Sequence, residues 1–511
     1  MTKLTDIAKT FAKESQPPSS SSNTIEVNES LGQAAFYYEK LRNLLDWQDE
    51  HLFLKNAIKR IVKRRVYLGI NQSNTARILL KELVWAKYFS NESIPVSYID
   101  EVAAILRKYN YLRKNVRSKL NAPAITEIVL GLAACEIEEF LRPSAAKIEF
   151  TKFIADTLLD KNSDQTDPQL RQKVYLSILR ELFKADLDQL RYFLVASDFP
   201  NWPRVTKAQV ENFGSNFDSV INRADKVIFE KSTLTTSQAV RRQIPPFRII
   251  WEIIKHKNQK GIFENKDLLE NTAVEIIKQK NRNIYSRVLR SLIRGIIFVF
   301  LTKIIFALII EYPYELRYFG SVNYTALLIN IVLPPSVMMI TGFFIRIPRE
   351  KNTRLLIEQV RQIATGNYQG KIFIKPTRHS RLYIFFNTFY ILSSLAILAL
   401  VVWGLVAIGF NIVSTILFFF FISLVSFLGV RISTIAKELE TKASDDTLLT
   451  GIFNFVFLPF VYIGKFLSDK WSNYNITLWF WDFIVEAPFK TIISIFESWL
   501  AFIREKRQNF E

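Results

Sequence analysis

A single cysteine, Cys135, in a chain of 511 residues excludes any internal disulfide. Histidine is nearly as scarce: His51, His256 and His379 stand far apart, and no His or Cys grouping has metal-ligand spacing, so no zinc chemistry is expected. Glycine is sparse too. The one stretch that glances at a phosphate loop, Gly366 to Lys371, is a residue short, and Ile372 replaces the hydroxyl that would hold magnesium. The first fifteen residues contain no apolar core of signal-peptide length, so cleavage and export are not expected. Period-2 strand runs and internal repeats are missing as well. No nucleophile elbow, nucleotide fingerprint or other catalytic setting is recognisable. These absences point away from an enzyme and from any bound cofactor.

What the chain does have is positive charge and long apolar runs. Lys plus Arg number 67 against 48 Asp plus Glu, a formal charge of +19. Divided at residue 287, the first part holds 45 basic and 34 acidic residues, hence +11, and the remainder 22 and 14, hence +8. An excess spread over both parts is not a nucleic-acid-binding tail, and no specific nucleic acid is expected. Its nearest polyanion is an anionic lipid surface.

Helical periodicity dominates the first 287 residues. Leu4, Ile7, Ala8 and Phe11 put an apolar stripe on a short N-terminal helix. Gln16-Pro17-Pro18 and four serines follow it, so residues 1–30 read as an amphipathic segment plus a linker. That segment is either a frayed terminus or a helix that touches a membrane or a partner. A long pattern runs from Leu31 to about Val66 and ends in Lys55 to Arg65, where six of eleven residues are basic. It reads as a solvated helix face, with a polyanion site as the alternative. Further helices are expected at Thr75–Tyr88, Val96–Asn110, Ala124–Phe140, Ala145–Leu159, Asp167–Phe183 and Lys207–Glu230, then, after a break at Pro245-Pro246, at Ile249–His256 and Asn265–Arg287. Residues 31–287 are thus expected to form a basic, all-α domain.

A membrane-crossing helix needs about 20 apolar residues at 1.5 Å each. Four segments meet that: Leu292–Ile310, Tyr324–Ile345 with a kink at Pro334-Pro335, Leu382–Ile408, and Ile412–Val430 after a tight turn at Gly409. They make 288–430 a four-helix transmembrane region with a loop at 346–381. That loop carries nine Lys/Arg and two Glu, whereas Glu311 to Asn323 carries one Arg and two Glu. The positive loop is expected in the cytoplasm, together with both termini, in a multi-pass protein of the cell membrane. Residues 431–511 hold two further apolar or amphipathic segments, for a possible total of six. Leu448–Leu467 is interrupted by Asn454, Pro459 and Gly464. Ile476–Ile503 gathers Asp482, Glu486, Lys490, Ser494 and Glu497 into one stripe, the form of a helix lying in the interface, with a spanning helix as its rival. Between the second and third spans, Leu356 to Tyr368 resembles the first helix of the HAMP signalling linker; the second helix of such a linker is missing, and no function is carried over. The segment also reads as an amphipathic helix stopped by Gly366.

Two groups of residues stand out. Lys278, Lys280, Arg282, Arg287, Arg290 and Arg294 form a polybasic approach to the first span, suited to lipid headgroups. Lys303 interrupts an otherwise apolar helix near its middle, where an ammonium costs roughly 2.5–3.5 kcal/mol on insertion scales. It must snorkel, pair or face a polar cavity, and Asp482, Glu486 and Glu497 of the last helix, which also carries Lys490, are the expected partners. The expected function is a membrane-anchored, non-enzymatic scaffold that binds other proteins through residues 31–287. The alternative is a channel or transporter whose polar path involves Lys303 and the 476–503 helix.

Overall fold

The computed structural model describes residues 2–15, 23–27, 36, 39, 52–67, 72–159, 168–199, 201–256, 261–345, 350–370, 381–441, 448–473 and 499. Among them the chain is all-α with no strand; an isolated antiparallel bridge joins Thr24 to Pro95. The N-terminal helices are α1 (Thr2–Glu14), α2 (Phe53–Tyr67), α3 (Gln72–Trp85), α4 (Tyr98–Asn115), α5 (Ala122–Leu141), α6 (Ala145–Leu158), α7 (Pro168–Glu181), α8 (Leu187–Asp198), α9 (Lys207–Ser215), α10 (Phe217–Phe229) and α11 (Lys231–Lys255). Short polar residues start several of them. Asn121 accepts from the Ala124 amide with Pro123 just inside α5, Asp186 accepts from Gln189, and Thr206 forms a capping box with Gln209.

Four cores build this part, the smallest gathering Leu176, Leu190, Leu194 and Ile228 between α7, α8 and α10. Of the others, one lies between α2, α3, α4 and α5, and a second gathers Trp202, Phe213 and Phe217 against α4 and α5. The third runs from Leu4 of α1 through Phe150, Ile178 and the buried face of α11, and continues without a gap into the apolar bundle as far as Phe460. The N-terminal helix is therefore not frayed. Its Leu4, Ile7 and Ala8 are buried, Phe11 packs edge-on to Trp251, and the Glu14 carboxylate accepts from the Ala146 amide at the start of α6.

Several expectations about local structure are corrected; the stretch Lys207–Glu230, read as one helix, is α9 and α10, and α8 was not expected. Pro245 and Pro246 do not break the helix but lie inside α11. An interior proline costs ~3 kcal/mol. Val240, Ile244, Phe247, Ile249, Ile250, Ile253 and Ile254 are all buried along the same helix, each worth about 1.5–3 kcal/mol, so packing outweighs the local preference. The basic stretch of α2 is not a solvated face either. Lys55 bonds Asp186, Lys59 bonds Asp188 and Glu127, Arg60 bonds Glu39, and Arg64 and Arg65 bond Glu82. Its charges are spent on Glu39 and on carboxylates of α3, α5 and the start of α8.

The second part starts with α12 (Lys266–Phe306), which a wide π turn at Ala307–Glu311 joins to α13 (Tyr312–Phe319). The boundary expected at residue 287 thus falls inside one unbroken helix. Then come α14 (Tyr324–Phe344), α15 (Glu350–Thr365), α16 (Arg381–Ala407), α17 (Ile412–Ala436) and α18 (Leu448–Asn473). Among the described residues five helices are long and apolar enough to cross a membrane: Lys266–Phe319, Tyr324–Phe344, Ile384–Ala407, Ile412–Ala436 and Gly451–Ser468. Pro334 and Pro335 lie within α14. Gly409, at φ +91°, makes the turn between α16 and α17 that a side chain would strain.

Small residues let the bundle close. A Cβ on Gly295 would meet Met338, one on Gly342 would press on Leu292, and one on Gly429 would clash with Thr341. The tightest approach is Gly464 of α18, where a Cβ would lie 2.1 Å from the Ser423 carbonyl oxygen of α17. The amphipathic segment after the second span is α15, which buries Leu356, Val360 and Ile363 against α11 and α12 and ends at Gly366 with φ +80°.

Candidate functional site

The centre of the bundle is built around Lys303. Its ammonium bonds Glu311 at 2.6 Å, and both side chains are completely buried. The pairing depends on the wide turn between them. In an uninterrupted α-helix, eight residues turn roughly 800° and leave Glu311 about 80° round from Lys303. One extra residue in the turn takes back about 100° and brings the carboxylate to within about 20° of the lysine face. Two more helices close on the pair. Asn330 of α14 donates from Nδ2 to Glu311 Oε2 at 2.8 Å and to the Ser414 carbonyl of α17 at 3.2 Å. Ser414 Oγ lies 3.4 Å from the same carboxylate oxygen, and the ammonium stands 4.9 Å from the centroid of the Phe421 ring. Three helices therefore meet at one neutralised, hydrogen-bonded centre.

One turn further along, Glu315 organises the end of the bundle. It is almost fully buried and accepts from the Asn323 amide at 2.9 Å and from Asn411 Nδ2 at 2.7 Å. Those asparagines cap α14 and α17 in turn, through the amides of Ala326 and Ser414. Glu311 and Glu315, which sequence reasoning assigned to the loop between the first two spans, both lie inside the fold. The connection itself is short, from Gly320 to Asn323. Around it Tyr318, Phe319 and Tyr324 are exposed, as aromatic side chains are at a membrane surface.

At the opposite end, Glu438 ties α17 to the N-terminal domain. Arg248 of α11 bonds it at 2.9 Å and also donates to its carbonyl, and Arg287 of α12 bonds its second oxygen. Burial would raise the Glu438 carboxyl, but Arg248 and Arg287 outweigh burial and hold it below the ordinary value. Asn352 of α15 donates to the Leu439 carbonyl at 2.8 Å and accepts from Thr441.

The polybasic approach divides in two. Lys280 pairs with Glu252 at 3.1 Å and Arg287 with Glu438, so both serve the fold. Lys278, Arg282, Arg290 and Arg294 are exposed on α12, with no carboxylate partner among the described residues. Tyr285, Leu289 and Ile293 are exposed between them. From Arg294 to Tyr312 is 18 residues, roughly 27 Å of helix, close to the thickness of a hydrocarbon core, and Lys303 sits midway. Asp482, Glu486, Lys490 and Glu497 lie outside the described residues. The partner that Lys303 has is Glu311.

The N-terminal domain holds two further polar clusters. Burial alone would lower the Lys55 ammonium, but Asp188 and Asp186 outweigh it and raise it. Glu127, which burial would raise, is pulled down to about 2 by Lys59 and Lys63. Across α4 and α5, Lys108 donates to Glu136 at 2.5 Å and to the Trp202 carbonyl at 3.0 Å, while Tyr109 donates to Glu136 and accepts from the Trp202 ring nitrogen. These bonds hold α4, α5 and the turn before α9 together. Cys135 is buried beside them, and burial pushes its thiol well up, away from the thiolate that reacts. No group of three or more His, Cys, Asp or Glu among the described residues is placed to hold a metal.

The arrangement is that of an all-α protein whose C-terminal part holds, among the described residues, five helices able to cross a membrane, with the N-terminal helices packed continuously onto one end of that bundle. The chain matches no family model, no curated protein and no solved structure.

Proposed function

We propose that the protein is a non-enzymatic scaffold of the cell membrane, with both termini in the cytoplasm, whose helical domain binds other proteins at a fixed orientation to the lipid surface. The observation that carries this reading is the unbroken passage from domain to bundle. Helix α12 belongs to both, the third core spans both, and Glu438 and Asn352 bolt their junction. A protein that presents a binding surface gains from such rigidity, whereas transporters of the rocking type need one unit to move against the other. Positive charge in the 346–381 loop supports the cytoplasmic placement of the domain packed against α15. Arg290 and Arg294, beside the apolar run, support contact with anionic headgroups, at about 1 kcal/mol for each basic group near the surface. Arg282 and Lys278 lie roughly 18 and 24 Å back along the helix from Arg294, beyond a Debye length.

A channel or transporter is the second reading, favoured by the ion pair at mid-bundle. Both charges, however, are fully enclosed and already neutralise one another. The test is purification of the full-length protein from native membrane in mild detergent, with flux measured in parallel after reconstitution. A stoichiometric protein partner, released by substitutions on the exposed face of residues 52–256, is expected, with no flux. Flux that Lys303→Leu abolishes, in a preparation without a partner, would replace the scaffold by the transporter.

A further inference from the structure

The bonding around Glu311 leaves one donor and one acceptor unused. The Asn330 amide is held one way round, because Nδ2 donates to both Glu311 and the Ser414 carbonyl. Turning it over would set an oxygen against two acceptors. Its Oδ1 therefore points away from them, in a side chain with no exposure, and no described residue donates to it. On the other oxygen of the same carboxylate, the Lys303 ammonium has three protons. One goes to Glu311 and one face meets the Phe421 ring; no further oxygen among the described residues accepts. Orphaned polar atoms of this kind are rare in folded proteins, and rarer still at membrane depth, where no solvent is at hand to satisfy them.

We propose that the centre binds a single water molecule, which accepts from Lys303 and donates to the Asn330 oxygen. The chemistry of the two free groups selects it. A cation is repelled by the ammonium and an anion by Glu311, so the ligand must be neutral, must accept and donate, and must fit a fully buried centre. Its second proton has a partner in Ser414 Oγ, whose own contact with Glu311 is long at 3.4 Å. Three bonds are what a buried water ordinarily makes. The ion pair is then a sealed, hydrated junction of α12, α14 and α17. This goes beyond the scaffold reading and does not depend on it.

Infrared difference spectroscopy of the full-length protein in lipid nanodiscs, exchanged from ordinary water to H2-18O, tests the proposal. An O–H stretching band that moves with the heavy isotope is expected, and its exchange should lag far behind that of bulk solvent. Asn330→Leu and Lys303→Met should each remove it. Ser423→Ala, which deletes a different unpaired buried hydroxyl, should leave it in place. Because the first two substitutions weaken the bundle, the unaltered protein supplies an independent reading: a high-resolution density map should show a peak within hydrogen-bond reach of both Lys303 Nζ and Asn330 Oδ1. No band and no peak, or a band that survives both substitutions, overturns the water. A band that exchanges with the bulk at once overturns the seal.

Discussion

Lys303 was legible in the sequence because a lone cation in an apolar run has to be compensated. Its partner was not. Glu311 follows the apolar run and reads as the first residue of a polar loop, and its position over the lysine depends on a wide turn that leaves no periodic trace. The pairing makes a clear prediction. Lys303→Leu and Glu311→Leu should each cost about 3–5 kcal/mol, since either leaves a buried charge unpaired. The double substitution should recover most of that loss, seen as thermal unfolding in detergent. Asp482→Leu should show no coupling to Lys303. Additive losses in the Lys303/Glu311 cycle would refute the pair. The domain offers a second residue-level test. Lys59 and Lys63 hold Glu127 near 2, below the ordinary carboxylate value of about 4.3, so its contribution is present above that value and disappears as pH falls towards 2. Glu127→Gln should flatten the dependence of denaturant stability on pH across that window; an unchanged profile would show that those lysines do not act on Glu127.

At the scale of single elements, most helices were expected where the structure has them, but α8 was missed and the stretch 207–230, read as one helix, is α9 and α10 parted at Asn216. Other errors came where a local rule competed with burial. Proline predicted a break in α11, but the helix is surrounded by core on most sides and holds its course. A run of basic residues predicted a wet face on α2, because the carboxylates that meet it come from other elements, the next helix α3 as well as α5 and the start of α8 further along the chain. The wide turn of Ala307–Glu311 shows the same limit and can be tested directly. A π turn is an α-helix with one residue added, so deleting Ile309, which is exposed, should restore a regular helix while leaving the carboxylate over Lys303 at a spacing of seven. Coupling between the two charges should survive the deletion. Inserting an alanine after Ile309 should instead turn the carboxylate about 100° away and abolish the coupling, although no charge has been removed. Loss of coupling in the deletion variant would show that the wide turn itself, rather than the register it sets, holds the pair.

For the molecule as a whole, the division into a helical domain and an apolar bundle follows from composition, but the way they join does not. The sequence suggests a boundary near residue 287, whereas α12 passes through it and carries one core into the other. The number of crossings was also undecided. Helix α18 packs Gly464 directly on the Ser423 carbonyl midway along α17, and Phe453 stacks on Phe344 at the end of α14 nearer the domain. A helix lying flat in the interface has no reason for that backbone contact with a membrane span, so a fifth crossing is the expectation. It places Lys470 on the same side as Arg317, and Gln369, next to α15, on the side of the N-terminal domain. The basic end at Arg504 to Arg507 then reaches the cytoplasm only if the 476–503 segment crosses as well. Single cysteines at 317, 369 and 470, probed on intact cells with a membrane-impermeant maleimide, decide the matter. Cys135 should stay silent because it is buried and its thiol is pushed up. Labelling at 317 and 470 from outside, and at 369 only after permeabilisation, is expected. Labelling at 470 only after permeabilisation would remove the fifth crossing and leave the carboxyl end inside after four. Labelling at 369 from outside would reverse the whole protein, and with it the assignment of the helical domain to the cytoplasm.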